Sequence, residues 1–300
     1  MESAADADQV LIGNLRRRVE RLAREIGPRH VGRPDALWAA QVFVEQELAG
    51  QGYAVERQSY LVCEQEVSNL IAELPGTRRA GEIVVLGAHY DSTPTTPGAD
   101  DNASAVAVLL EVARRMRSRP CERTIRFVAF TCEEMPHFHT GDMGSQVYAR
   151  ACRALGERIV GMLCLEMVGY FSSAPGSQRI PSAIPRWLRW IFPPRGDFLA
   201  AVGNLRSGKL LWNFSRGFRR AKRLPLFSIL LPEAIHDIRR SDNSSFWDQG
   251  FSALMLTDTS YLRNPHYHLT SDTPETLDFE RMLGVVAGVV EGLCRVARGR

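Results

Sequence analysis

Residues 82–115, EIVVLGAHYDSTPTTPGADDNASAVAVLLEVARR, decide how this chain folds. The segment opens with an unbroken apolar run, Ile83 to Ala88, bounded by Gly81 and rich in β-branched residues, the pattern of a buried strand. His89 and Asp91 stand at its exit. A loop of Thr, Pro and Gly follows, then Gly98-Ala99-Asp100-Asp101-Asn102. From Ala103 the apolar residues Val106, Leu109, Leu110 and Ala113 recur at helical spacing, with Glu111, Arg114 and Arg115 on the other side. A His and an Asp thus leave the strand where an Asp pair enters the helix. Open α/β sheets bind ligands at that edge, beyond the carboxyl ends of their strands. An Asp before a helix also serves as a plain N-cap, and Asp-Asn as a turn, so the rest of the chain has to decide.

The chain has 300 residues, 45% hydrophobic and 24% charged, enough for the core of one large domain or two smaller ones. A net charge of +3 does not by itself imply a polyanionic partner. Cys63, Cys121, Cys132, Cys152, Cys164 and Cys294 lack the CxxC spacing of a cysteine zinc site, and are too sparse for a disulfide framework. The N-terminal stretch MESAADADQVLIGNLRRRVERLAREIG is acidic and then basic-amphipathic, without the apolar core of a secretory signal. No run is apolar enough to cross a membrane, Val285 to Leu293 being broken by Glu291. The expectation is a soluble cytoplasmic protein.

Taken in order, Asp6 to Ile26 reads as a helix ending at Gly27-Pro28, and Asp35 to Ala49 as a second ending at Gly50. Tyr53 to Val62 and Val67 to Leu74 read as strands. Pro75-Gly76 turns the chain into the strand at Ile83, so Val67–Leu74 and that strand are expected to be antiparallel neighbours. Thr124 to Thr131 is a buried strand that exits into Cys132-Glu133-Glu134. A helix from Gly144 to Leu155 leads to the strand Ile159 to Leu165, which exits into Glu166. Three strands therefore deliver His89, Glu134 and Glu166 to one edge of a mixed, mostly parallel sheet. Residues 171–224, broken by Pro175, Pro181, Pro185 and Pro193-Pro194, read as an irregular insertion beside the site. That region holds a short strand at Asp197–Val202 and a basic helix at Ser207–Lys222, and a further short strand follows at Pro225–Leu231. Phe251 to Thr257 is the last core strand and Leu277 to Ala297 a closing amphipathic helix. The fold class is α/β, a single domain of three layers.

Carboxylates and imidazoles at strand ends suit Zn²⁺ held by nitrogen and oxygen with a position left for water. His89, Asp101, Glu134, Glu166 and His268 are the candidate ligands, and they divide between two metals if one carboxylate bridges. Glu133, next to a ligand, is placed to take a proton from water. Asp91, two residues after His89, is placed to hold an imidazole N–H. Glu166 sits between an apolar run and Met167-Val168; buried, it needs a metal or a cation. His137 and His139 read as surface residues.

The motifs AHYDS (88–92), GADDNAS (98–104), CEE (132–134), LEMVGY (165–170) and HLTSDTPETLD (268–278) together resemble the M28 family of zinc peptidases, of aminopeptidase type. The resemblance runs from about Ile26 to the C-terminus. It implies a two-zinc site with Asp101 bridging, His89 and Glu166 completing one ion and Glu134 and His268 the other. It implies Glu133 as general base and hydrolysis of N-terminal residues from peptides by a water held between the metals. His268 is preferred to His266 because the family's ligand precedes an Asp-Thr pair by four, as His268 does Asp272. Three positions depart from the family: Glu166 where Asp is usual, Met135-Pro136 after the acidic pair, and Ala105 where Gly is common.

A glutaminyl-cyclase-like transferase using one zinc on the same fold is the alternative; retention of both ligand sets argues against it. A third reading is a binding protein for nucleic acid or acidic membrane, resting on Arg216, Arg219, Arg220, Lys222 and Arg223 and on the Trp/Arg run 186–195. A solvated helix face accounts for that charge, and neither nucleic acid nor membrane is expected as a partner. GxSxG, HExxH and GxGxxG are absent.

Overall fold

A computed structural model describes residues 4–298. The strand that opens the deciding segment is β3 (Arg79–His89), and it lies inside an eight-stranded sheet of order β1-β2-β4-β3-β5-β8-β6-β7. The others are β1 (Val55–Val62), β2 (Gln65–Leu74), β4 (Arg123–Phe130), β5 (Arg158–Glu166), β6 (Leu199–Gly203), β7 (Leu226–Leu230) and β8 (Ala253–Thr257). β4, β3, β5 and β8 run parallel, as do β6 and β7, while β1, β2 and the β6–β8 pair are antiparallel. An unbroken apolar run is what a strand covered on both faces requires. Val84, Leu86 and Ala88 enter one core cluster and Ile83 and Val85 the other, by the alternation of the pleat.

One face of the sheet is covered by α1 (Ala4–Glu20), α2 (Pro34–Gly50), α3 (Ala105–Met116), α5 (Gly208–Phe218) and α7 (Phe279–Ala297), which bring Leu15, Leu37, Leu109, Phe214 and Val286 to its core. α4 (Gly144–Ala154), α6 (Asn243–Asp248) and the irregular segment before β6 cover the other, with Tyr148, Phe246 and Ile184. This is the three-layer arrangement expected. Among the described residues no helix is long and apolar enough to cross a membrane.

Two expectations change. β2 is not the neighbour of β3: β4 lies between, antiparallel to β2 and parallel to β3. The connection 75–78 crosses the start of β4, where the Thr77 and Arg79 amides donate to the carbonyls of Cys121 and Glu122. β3 can thus take a central position with two parallel partners. Second, the short strand and basic helix expected within 171–224 are integral parts of the sheet and its helical layer. β6 sits between β8 and β7 and α5 packs on α7, so the irregular part is confined to the residues before β6. The α6 helix had no counterpart in the sequence reading.

The crossing at Gly76 gives a direct test. A Cβ there would lie 2.5 Å from the Glu122 carbonyl oxygen and 2.6 Å from the Thr124 nitrogen, both backbone, whereas one at Gly81 meets nothing within 4 Å. Gly76→Ala should destabilise by about 1–3 kcal/mol. Gly81→Ala should be neutral or stabilise by up to about 1 kcal/mol. Urea midpoints of the two variants, read at constant m-value, check the contrast.

Candidate metal centre

β3, β4 and β5 run parallel and end together, so the residues leaving them meet at one edge. His89 is the last residue of β3, Glu166 the last of β5, and Glu133-Glu134 follow β4 after Thr131-Cys132. Asp101 enters from the turn before α3, and His268 from the loop after β8. All are buried except His268, which is about a third exposed.

Asp101 stands between the imidazoles. His89 Nε2 is 3.4 Å from its Oδ1 and His268 Nε2 is 3.0 Å from its Oδ2. His89 Nε2 also lies 3.4 Å from Glu166 Oε2 and 3.7 Å from Glu133 Oε2, and His268 Nε2 lies 3.5 Å from Glu134 Oε2. Two groups result, His89–Glu133–Glu166 and Asp101–Glu134–His268, with one potential ligand atom per residue within 4.8 Å of the others. The neighbours Glu133 and Glu134 are divided between them, as successive side chains of an extended segment point apart.

Among the described residues, His89 Nε2, His268 Nε2, Asp101 Oδ1 and Glu134 Oε1 are buried without a hydrogen bond of acceptable geometry, although the atoms lie close. Buried polar atoms rarely go unpartnered. Four of them converging here, all of types that ligate hard or borderline cations, fit a metal centre. Burial opposes charge on both imidazoles, but the surrounding carboxylates win: His89 is raised well above its ordinary value, and His268 to about 10. Burial and neighbouring carboxylates push Glu134 up to about 7, and burial pushes Glu133 and Glu166 up as well. Asp101 alone is depressed; burial would raise it, but both imidazoles stabilise its charge.

The groups behind these residues hold them in place. Asp272 accepts from the amides of Asp100 (2.8 Å) and Asp101 (3.1 Å). Asn102 donates to the Leu165 carbonyl (3.1 Å) and accepts from the Met167 amide (2.9 Å), tying the Asp101 turn to the end of β5. Ser241 Oγ donates to Glu166 Oε2 at 2.6 Å. Tyr267 stacks on His268, with ring centroids 3.8 Å apart, and its hydroxyl accepts from Arg240 at 3.2 Å. Asp91 faces His89 Nδ1 with its carboxylate at 3.6 Å and with its backbone oxygen at 3.2 Å. Its two carboxylate oxygens accept from the amides of Glu133 (3.2 Å) and Glu134 (3.1 Å), so it orients the acidic pair.

His137, His139 and His266 belong to neither group. His139 Nε2 pairs with the Arg239 carbonyl and His266 Nδ1 with Ser271 Oγ. Sequence reasoning missed Asn102, Ser241, Arg240 and Tyr267, and used Asp272 only to choose between histidines. Tyr267 lies beside a ligand and was within reach. Asn102 lies within the GADDNAS motif but with no signal of its role, and Ser241 and Arg240 belong to no pattern that one sequence reveals.

A mixed α/β sheet whose parallel strands end in two His-carboxylate groups defines a metal-dependent hydrolase. The sequence profile of peptidase family M28 matches residues 69–291, and the chain belongs to that family. It is 34% identical over 284 residues to Escherichia coli YfbL, a match covering 92% of this chain and 85% of that one. Leucine aminopeptidase 1 of Trichophyton equinum is 29% identical over 244 residues, 76% of this chain and 58% of its own length. The zinc aminopeptidase BSAP of Bacillus subtilis superposes with a TM-score of 0.74 at 16% identity, covering 96% of this chain and 95% of its own, a likeness of fold.

Because Glu134 is raised to about 7 and His268 to about 10, the metal-free centre carries protons at neutral pH that ligation must displace. Zinc binding should therefore release protons and weaken progressively as pH falls below about 10, more steeply below about 7. Calorimetric titration in buffers of different ionisation enthalpy measures the release. Binding heats independent of buffer would contradict this account of the cluster.

Proposed function

We propose that this chain is a zinc-dependent aminopeptidase holding two zinc ions and removing N-terminal residues from peptides. The observation that carries the reading is Asp101, placed between two imidazoles, each of which faces a further carboxylate. His89 and Glu166 would hold one ion, Glu134 and His268 the other, and Asp101 would bridge. A one-zinc cyclase-like site needs only one of these sets. When bound, the ions supply Lewis acidity toward the scissile carbonyl and make water a nucleophile near neutral pH.

The chain's own residues supply the rest. Glu133, buried and raised well above the ordinary carboxylate value, takes the proton of the attacking water and returns it to the departing amine. Asp91, through the two backbone amides, fixes where Glu133 and Glu134 project. Beside Glu166 opens an apolar cavity of about 90 Å³, lined by Phe192, Phe198, Ala200, Phe227, Ile229 and Met255. It suits the apolar side chain of an N-terminal residue, whose α-ammonium then lies toward the carboxylates.

Glu133→Gln and Glu134→Gln should fail differently. The first should keep both zinc ions and lose about 10²–10⁴ in kcat with little change in KM. The second should lose zinc. Metal content and steady-state kinetics measured side by side decide; zinc loss in the first with retention in the second would reverse the roles. Thorough chelation should abolish both wild-type activity and metal content.

The cavity carries its own test. Ala200→Leu narrows the cavity and should lower kcat/KM for leucyl and phenylalanyl p-nitroanilides by about 10–200-fold while sparing the alanyl substrate. Equal losses on all three would detach the cavity from substrate selection.

A further inference from the structure

From Phe198 to Pro232 the chain has no acidic residue, and it carries seven cations: Arg206, Lys209, Arg216, Arg219, Arg220, Lys222 and Arg223. All seven are exposed. The chain's net charge of +3 therefore conceals a partition, since without these seven the remainder stands at −4. α5 and the single 3-10 turns that flank it, Leu205–Ser207 and Arg219–Ala221, set much of this charge along one line. Leu205, Lys209, Trp212, Arg216 and Arg220 recur at helical spacing on the outer side, while Leu210, Leu211, Phe214 and Phe218 face the core.

Trp212 lies at the centre of the patch and is 53% exposed. The Arg216 guanidinium stands 4.6 Å from its ring centroid and that of Arg295, from α7, 5.4 Å. Desolvation, and after it the charges of Arg216 and Arg220, lower the Arg295 guanidinium from its ordinary value. Nearby acids are engaged elsewhere: Asp8 pairs with Arg223 at the far end, Glu291 with Arg119, and Glu233 with Arg239. Among the described residues Lys209, Arg216, Arg220 and Arg295 have no ion-pair partner. A cation stripe that holds like charges around an exposed indole, with Leu205 also 66% exposed, is complementary to a surface both anionic and apolar beneath.

We propose that the outer face of α5, with Arg295 of α7, docks this protein on the surface of an anionic lipid bilayer. The cations meet headgroup phosphates, and Trp212 and Leu205 enter the headgroup–acyl boundary, where tryptophan is enriched. The apolar members of the stripe favour a bilayer over nucleic acid, which offers phosphate without an apolar layer beneath. This docking is independent of the peptidase reading. It also revises the expectation of a merely solvated helix face.

The test is co-sedimentation of the purified chain with phosphatidylglycerol-containing vesicles against pure phosphatidylcholine vesicles at low and high salt. Binding should require the anionic lipid, weaken at least about tenfold between 50 and 200 mM salt, and fall at least tenfold again in Arg216→Glu/Arg220→Glu. Lys209→Gln/Arg216→Gln/Arg220→Gln, a milder change, should show a smaller loss in the same direction. Trp212→Ala should weaken vesicle binding without altering its salt dependence. The thermal midpoint and peptide hydrolysis in solution should be unchanged in all three, which separates lost docking from lost folding and from failure of the enzymatic reading. No binding to anionic vesicles, equal binding by wild type and the folded charge variants, or binding to duplex DNA in preference to vesicles would overturn the proposal.

Discussion

Crowding of like charge at the carboxyl edge of the sheet is the constraint around which this molecule is arranged. Asp101, Glu133, Glu134 and Glu166 are buried within reach of two imidazoles, His89 and His268. Two like charges about 4 Å apart repel by about 4 kcal/mol at an effective dielectric constant near 20. Raised Glu133, Glu134 and Glu166, raised imidazoles and a depressed Asp101 are the response of the metal-free cluster. Such a cluster would spread apart if its loops were free. They are tied to one another instead: Asp272 to the Asp101 turn, Asn102 to both sides of Glu166, Asp91 to the acidic pair, and Ser241 to Glu166 itself.

Beneath this layer lies Arg29, fully buried, which donates to the carbonyls of Tyr90, Leu22, Gly27, Pro97 and Gly98. Burial lowers it to about 10, against the pull of Asp91, Asp272, Asp101 and Glu134, so it stays charged at neutral pH. Three of its five acceptors, Tyr90, Pro97 and Gly98, lie at the two ends of the loop joining His89 to Asp101, and the other two, Leu22 and Gly27, tie that loop to the end of the N-terminal helical segment. That loop closes only at a glycine: Gly98 has φ +62°, and a Cβ there would lie 2.3 Å from the Asp101 carbonyl oxygen and 3.1 Å from the Arg29 guanidinium. The distance between the ligands is thus a backbone property, set by an arginine far from any sequence motif.

What the sequence reveals follows from how local the determining physics is. Buried parallel strands write continuous apolar runs, and whatever follows each run must stand at the same edge, so His89, Glu134 and Glu166 were legible together. Partner choice within the sheet is not local. Nothing in Pro75-Gly76 distinguishes a hairpin from a crossing over β4, since the deciding contacts come from Cys121 to Thr124. The short strands at 197–202 and 225–231 were legible as strands, but their places in the sheet were not, because β6 finds its partners β7 and β8 through contacts distant in sequence. Asn102, Ser241 and Arg29 act through hydrogen bonds to backbone or side-chain atoms distant in sequence, partners that one sequence does not reveal.

The alternation of the pleat gives those short strands two faces with different surroundings. Ala200, Val202, Phe227, Ile229 and Met255 point to the face where the cavity opens beside Glu166. Leu199, Ala201, Leu254 and Leu256 point the other way, into the core shared with Leu210 and Phe214 of α5. The sheet therefore separates the cavity from the basic helix, and α5 can meet a surface without covering the opening. The reversal of β6 against β8 makes this possible, because the chain leaving β6 turns at Asn204 toward the helical layer. One short antiparallel pair thus sets both where an apolar side chain can be received and which way the cation stripe faces.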